Sequence, residues 1–169
     1  LTGYVCFLSA ASLTPMTLSL VLAIFLVAGA FASMLTATDV HWWRDNLSAL
    51  GMASNESAWT FNGTLIVAGV IVTIIARYAT AGLPATSRVE ARRRHLVRLG
   101  LILIGLFLTC VGIFPVDAFF LLHNTVATGM TAAFAAVVIA LPWLVPTISK
   151  VFVGLGYVYV AVIVLLAVF

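Results

Sequence analysis

Residues 16–36 read MTLSLVLAIFLVAGAFASMLT, twenty-one consecutive positions without a charge. At about 1.5 Å of rise per residue, a helix of this length crosses the roughly 30 Å hydrocarbon core of a bilayer. Pro15 precedes the stretch, at the helix position where a missing amide proton costs least. The same pattern returns at 59–76, 96–114, 119–141 and 151–169, each close to the roughly 17–25 residues that a span requires. Arg77, Pro115 and the pair Pro142 and Pro146 punctuate these runs. The expected fold is therefore all-α: a single transmembrane domain over 1–169, a polytopic helix bundle with five spans. Residues 1–13 are apolar but short, and read as the tail of an earlier span or as an interfacial segment. The chain starts without Met and ends inside an apolar run, which leads to the expectation of six spans in a longer protein.

Composition agrees. Hydrophobic residues make up 64% of the chain and charged residues 8%, against about 45–50% and about 25% in a soluble domain. Lipid must be the solvent for that much apolar surface. A membrane β-barrel is excluded, because its strands alternate apolar and polar residues, whereas these runs are unbroken.

The net charge of +3 does not point to nucleic acid. Six of the eight basic residues lie between Arg77 and Arg98, which is one connection and its borders. The positive-inside rule puts 77–98 on the cytoplasmic side of a cell membrane, together with the connection that carries Lys150. Loops 37–58 and 115–118 then face outside. They hold Asp39, Asp45, Glu56 and Asp117, with Arg44 as their only base. Arg88, Arg92, Arg93 and Arg94 are also candidates for contact with anionic lipid headgroups. Cys6 and Cys110 lie in apolar surroundings and read as small hydrophobes rather than a disulfide. Ala28 with Ala32, Gly105 with Thr109, and Gly129 with Ala133 recur at a spacing that lets helix backbones approach closely.

The most informative polar stretch is DVHWWRDNLSALGMASNESAWTFN, residues 39–62. Trp42, Trp43 and Trp59 fit an interfacial aromatic belt. His41, Arg44, Asp45 and Ser48 are crowded into one short run, and Asn62 lies inside the next span, where an unpaired amide is costly. The other outward loop adds Asp117, followed by His123. Two readings of this cluster compete. In one, it is a structural and binding network that pins helix ends, with Arg44 paired to Asp45 or Asp117. In the other, His41, Asp45, Asp117 and His123 converge as a zinc or acid–base site. No HExxH or CxxC spacing accompanies them. His95 lies at the opposite side, so a haem held between stacked histidine pairs finds no support. The acceptor-like triplets at Asn46, Asn55 and Asn62 read as chance matches to the glycosylation pattern.

Three motifs resemble a family of bacterial and archaeal six-helix membrane proteins with a domain of unknown function, itself distantly similar to the eukaryotic DRAM and FGF-receptor-activating-protein type. They are Asp45-Asn46-Leu47-Ser48-Ala49-Leu50-Gly51, then Phe61-Asn62-Gly63, then Gly112-Ile113-Phe114-Pro115-Val116-Asp117 with the following His123. The resemblance implies a six-helix bundle with its marked residues on the outer side, and no reaction. The eukaryotic relatives hint at lipid.

The favoured function is a non-catalytic module that binds membrane lipid or another membrane subunit through its outer face, with no cofactor. The alternative is a metal-assisted hydrolase or transferase acting on lipid headgroups, with Zn held by His41, His123 and Asp117. A transporter ranks below both, because no span carries a charge near its centre.

Overall fold

The computed structural model of the chain describes residues 14–39, 41–44, 46–52 and 55–168. The expectations placed on 1–13, Cys6 and Asp45 lie outside the described residues. All regular structure among the described residues is helical: α1 (Pro15–Leu35), α2 (Glu56–Ala81), α3 (Arg88–Ile113), α4 (Phe120–Leu144) and α5 (Lys150–Val168). Two short 3-10 turns, Trp42–Arg44 and Leu47–Gly51, sit in the connection between α1 and α2. Helices α1 to α4 are each long and apolar enough to cross a membrane, and α5 is apolar along its described length.

The helix starts are written in the sequence. Thr14 caps α1, its hydroxyl accepting from the Thr17 amide at 3.1 Å, with Pro15 next. Asn55 caps α2 through the Ala58 amide at 2.9 Å. Ser87 and Glu90 form a reciprocal capping box on α3. The Glu90 carboxylate accepts from the Thr86 hydroxyl and from the Thr86 and Ser87 amides. These donors, the Thr86 hydroxyl first, hold its pKa below the ordinary glutamate value. The helices overrun the apolar stretches. Helix α2 continues through Arg77 to Ala81, and α3 begins at Arg88. Helix α4 runs through Pro142 to Leu144. That proline removes the bond to the Val138 carbonyl and crowds it, and the helix ends two residues later.

Each helix packs chiefly on its neighbour in the chain, α2 on α3 most extensively. The interior combines apolar residues such as Leu50, Phe61 and Ile75 with small and polar ones. Ser33, Ser57, Ala68, Ala76 and Thr80 are almost fully buried, whereas Leu20, Ile24, Phe31, Trp143 and Tyr159 are exposed. This is the expected inversion where lipid tails are as apolar as leucine, and close backbone contact drives association. At the α2–α3 crossing, a Cβ on Gly69 would stand 2.5 Å from the Gly105 carbonyl oxygen, and one on Gly105 would stand 2.7 Å from that of Gly69. Thr73 and Thr109 flank this contact and donate to the Gly69 and Gly105 carbonyls of their own helices, at 2.9 and 3.0 Å. The expected Gly105–Thr109 face is thus the packing face. Gly129 also meets a neighbour, the Phe107 ring. On α1 the expectation needs correction: Ala28 and Ala32 are exposed, and Gly29 and Ser33 face α2 instead. The reason is local. Gly29 leaves room for the Thr64 side chain, and one turn later Ser33 finds a polar partner.

Candidate functional site

The two 3-10 turns and the short segment between α3 and α4 meet at one end of the bundle. Three small polar ties hold them. Ser33 and Ser57 are 0% and 2% exposed, with hydroxyl oxygens 2.9 Å apart. Each hydroxyl also lies 2.9 Å from the other residue's carbonyl oxygen. The Ser57 hydroxyl is in addition 3.2 Å from the Leu50 carbonyl, which brings the second turn into the same knot. The Asn62 amide donates to the Gly51 carbonyl at 3.0 Å. A Cβ on Gly51 would sit 2.5 Å from Asn62 Oδ1, so a larger residue there would have to displace the Asn62 amide.

The third tie is His123, which is 4% exposed. Its Nδ1 is 2.7 Å from the Phe114 carbonyl oxygen, and its Nε2 is 3.3 Å from Ser48 Oγ. A carbonyl can only accept, so the proton is assigned to Nδ1, and in the neutral ring the Ser48 hydroxyl donates to Nε2. One imidazole therefore joins the start of α4, the end of α3 and the Leu47–Gly51 turn.

The remaining residues of the expected cluster are placed differently. His41 is exposed beside Asp39, its amide donating to Asp39 Oδ1 at 2.8 Å and its Nδ1 4.0 Å from the same oxygen. The Arg44 guanidinium lies 5.4 Å from the centre of the Trp43 ring. Asp117 is exposed. No three His, Cys, Asp or Glu side chains among the described residues are grouped to hold a metal. Two of the glycosylation-like triplets have local work: Asn55 caps α2 and also donates to the Thr38 hydroxyl at 3.0 Å, while Asn62 holds Gly51.

Beside these ties opens a groove of about 520 Å³ between α2, α3 and the segment after α3. Its lining draws on all three motifs: Gly51 from the first, Asn62 and Gly63 from the second, and Gly112, Pro115 and Asp117 from the third. Gly112 brings α3 against the Asn62 carbonyl, where a Cβ would stand at 2.6 Å. Gly63 faces open space, with nothing within 4 Å of a Cβ built there. Trp59 lines the same groove and is 79% exposed. The walls are mostly apolar, with polar groups at Asn62 and Asp117. Such a surface suits an amphipathic ligand.

At the far end, the Arg98 Nε donates to the buried Thr80 hydroxyl at 2.9 Å, and Thr80 donates to the Ala76 carbonyl at 2.7 Å. Sequence reading missed both this relay and the Ser33–Ser57 pair. The available signal was weak: Ser33 is a hydroxyl inside an apolar run, but Ser57 and Thr80 stand outside the apolar runs. Cys110 is a half-buried free thiol.

No curated protein and no solved structure matches the chain. The match to a protein family is by contrast nearly end to end, covering residues 19–169, and it includes every motif that meets at the groove. This integral membrane protein belongs to the DUF998 family of proteins of unknown function.

Proposed function

We propose that the protein is a non-catalytic membrane module that binds a lipid in the groove between α2 and α3, at the outward end of the bundle. One observation carries the reading: three motifs far apart in sequence converge on this one groove. Its apolar walls suit acyl chain, its polar groups sit where a headgroup would lie, and exposed Trp59 fits the interfacial belt. The outward assignment follows from the arginines, which crowd the opposite connection. His123, Ser57 and Asn62 then serve to hold the groove's rim in shape.

Gly63 offers a direct test, because it lines the groove and a Cβ built there meets nothing within 4 Å. A diazirine-bearing phospholipid is expected to label peptides from 59–66 in the wild-type protein and not in Gly63→Leu, with the variant at least as stable as wild type. Equal labelling of the two would remove the groove as the lipid site. The hydrolase alternative is read separately by elemental analysis. Near-stoichiometric zinc that disappears in the His41→Ala, His123→Ala double variant would replace the lipid-binding reading with the metal one.

A further inference from the structure

At the opposite end of the bundle, the sequence offers four arginines in a row of seven positions, Arg88, Arg92, Arg93 and Arg94. The fold divides them. Arg88 and Arg92 are exposed, whereas Arg93 and Arg94 are half-buried. Only the second pair lines a cavity of about 150 Å³ enclosed by the connection before α3 and the one after α4. The remaining wall is largely apolar: Leu83 and Pro84 on one side, Leu144, Val145 and Pro146 on the other. Thr147 adds a hydroxyl. Glu90 also borders the cavity, but one carboxylate oxygen is committed to the Thr86 and Ser87 donors that begin α3. Arg98, one turn further along, is tied to Thr80.

We infer that Arg93 and Arg94 form a site for a phosphate oxyanion, bound between the two connections. Each planar guanidinium fork can donate to two oxygens of a tetrahedral phosphate, so a pair of them suits a phosphate oxyanion. Apolar walls immediately beside them suit the glycerol and acyl ester region of an anionic phospholipid, and basic pockets at helix ends are a recurrent form of such sites. A ligand held there would bridge connections that lie more than fifty residues apart in the chain, and so would fasten α4 to the start of α3. This inference does not depend on the groove at the other end.

The test removes equal charge from the two arginine pairs. The purified full chain, in detergent, is titrated with phosphatidylglycerol, with phosphatidylcholine and with inorganic phosphate, and bound ligand is counted by native mass spectrometry alongside the melting temperature. Phosphatidylglycerol is expected to bind saturably and raise the melting temperature, and phosphatidylcholine to do neither. The Arg93→Gln, Arg94→Gln variant should bind about tenfold to a hundredfold more weakly, as expected for the loss of one or two charge-assisted contacts. The Arg88→Gln, Arg92→Gln variant, with the same net charge, should bind within about twofold of wild type, because exposed charges contribute little. The single variants Arg93→Gln and Arg94→Gln, each with an intermediate loss, serve if the double variant does not fold. Saturation by inorganic phosphate at the same concentrations would retain the oxyanion site but assign it to a soluble ligand. Equal losses in the two double variants would overturn the inference and leave only a diffuse basic surface.

Discussion

His123 Nε2 lies 3.3 Å from the hydroxyl of Ser48, 75 residues earlier in the chain, while Nδ1 of the same ring meets the Phe114 carbonyl at 2.7 Å. The imidazole is thus a bracket between the Leu47–Gly51 turn, the end of α3 and the start of α4. A buried ring with both nitrogens engaged is costly to remove, because two partners are stranded along with the space it filled.

His123→Ala is therefore expected to destabilise the fold by about 2–4 kcal/mol, combining a lost hydrogen-bond set with a cavity. Ser48→Ala removes one hydroxyl and is expected to cost about 1 kcal/mol. Unfolding in mixed detergent micelles measures both, and the double variant should cost less than the sum of the two, since the partners share one contact. A His123→Ala protein as stable as wild type would show that the bracket carries no weight.

Two glycines on the same helix should respond in opposite ways. Gly69 abuts the Gly105 backbone, so Gly69→Val forces α2 and α3 apart, at a cost of about 1–3 kcal/mol or more. Gly63 faces open space, so Gly63→Ala is expected to be neutral or to stabilise α2 by up to about 1 kcal/mol through helix propensity. Melting temperatures of the two variants decide the matter. Similar losses at both positions would mean that helix propensity, rather than interhelical approach, governs α2.

The capping box of α3 should be sensitive to acid. Because the Glu90 pKa is lowered in the folded protein, with the Thr86 hydroxyl as the leading cause, its contribution is present above the ordinary glutamate pKa. That contribution is lost as pH falls through the lowered, folded-state value. The protection of the Thr86 and Ser87 amides, which donate to Glu90, against hydrogen exchange should fall in that acidic window, measured relative to the intrinsic rate at each pH. Glu90→Gln should flatten the response, since an amide oxygen accepts without titrating. An unchanged pH profile in Glu90→Gln would place the acid response elsewhere.

Much of the architecture could be read before any coordinates. Apolar runs longer than a soluble core allows require lipid, and in lipid the backbone must satisfy its own hydrogen bonds, so the chain must be helical. Pro15 marked the start of α1, but the capping box of Ser87 and Glu90, which begins α3 eight residues before the apolar run at 96, was a local signal that the reading passed over. Local chemistry did not reveal where helices would continue. Arg77 lies inside α2, because a helix can extend beyond the hydrocarbon layer, and Pro142 lies inside the last turn of α4, which ends only two residues later.

The site was legible as a set of residues but not as an arrangement. Composition and spacing singled out His123, Ser48, Asn62 and Asp117; only the packing of α3 against α2 and α4 decided that His123 holds Ser48, that Asn62 holds Gly51, and that Asp117 borders the groove. Packing likewise turned Ser33 rather than Ala28 and Ala32 toward α2, and drew Arg93 and Arg94 into a cavity while leaving Arg88 and Arg92 exposed. The physical reason is the same in each case. The solvent a segment requires follows from its own side chains, whereas the face a helix turns inward depends on which neighbour offers room for a close approach and a partner for each polar group.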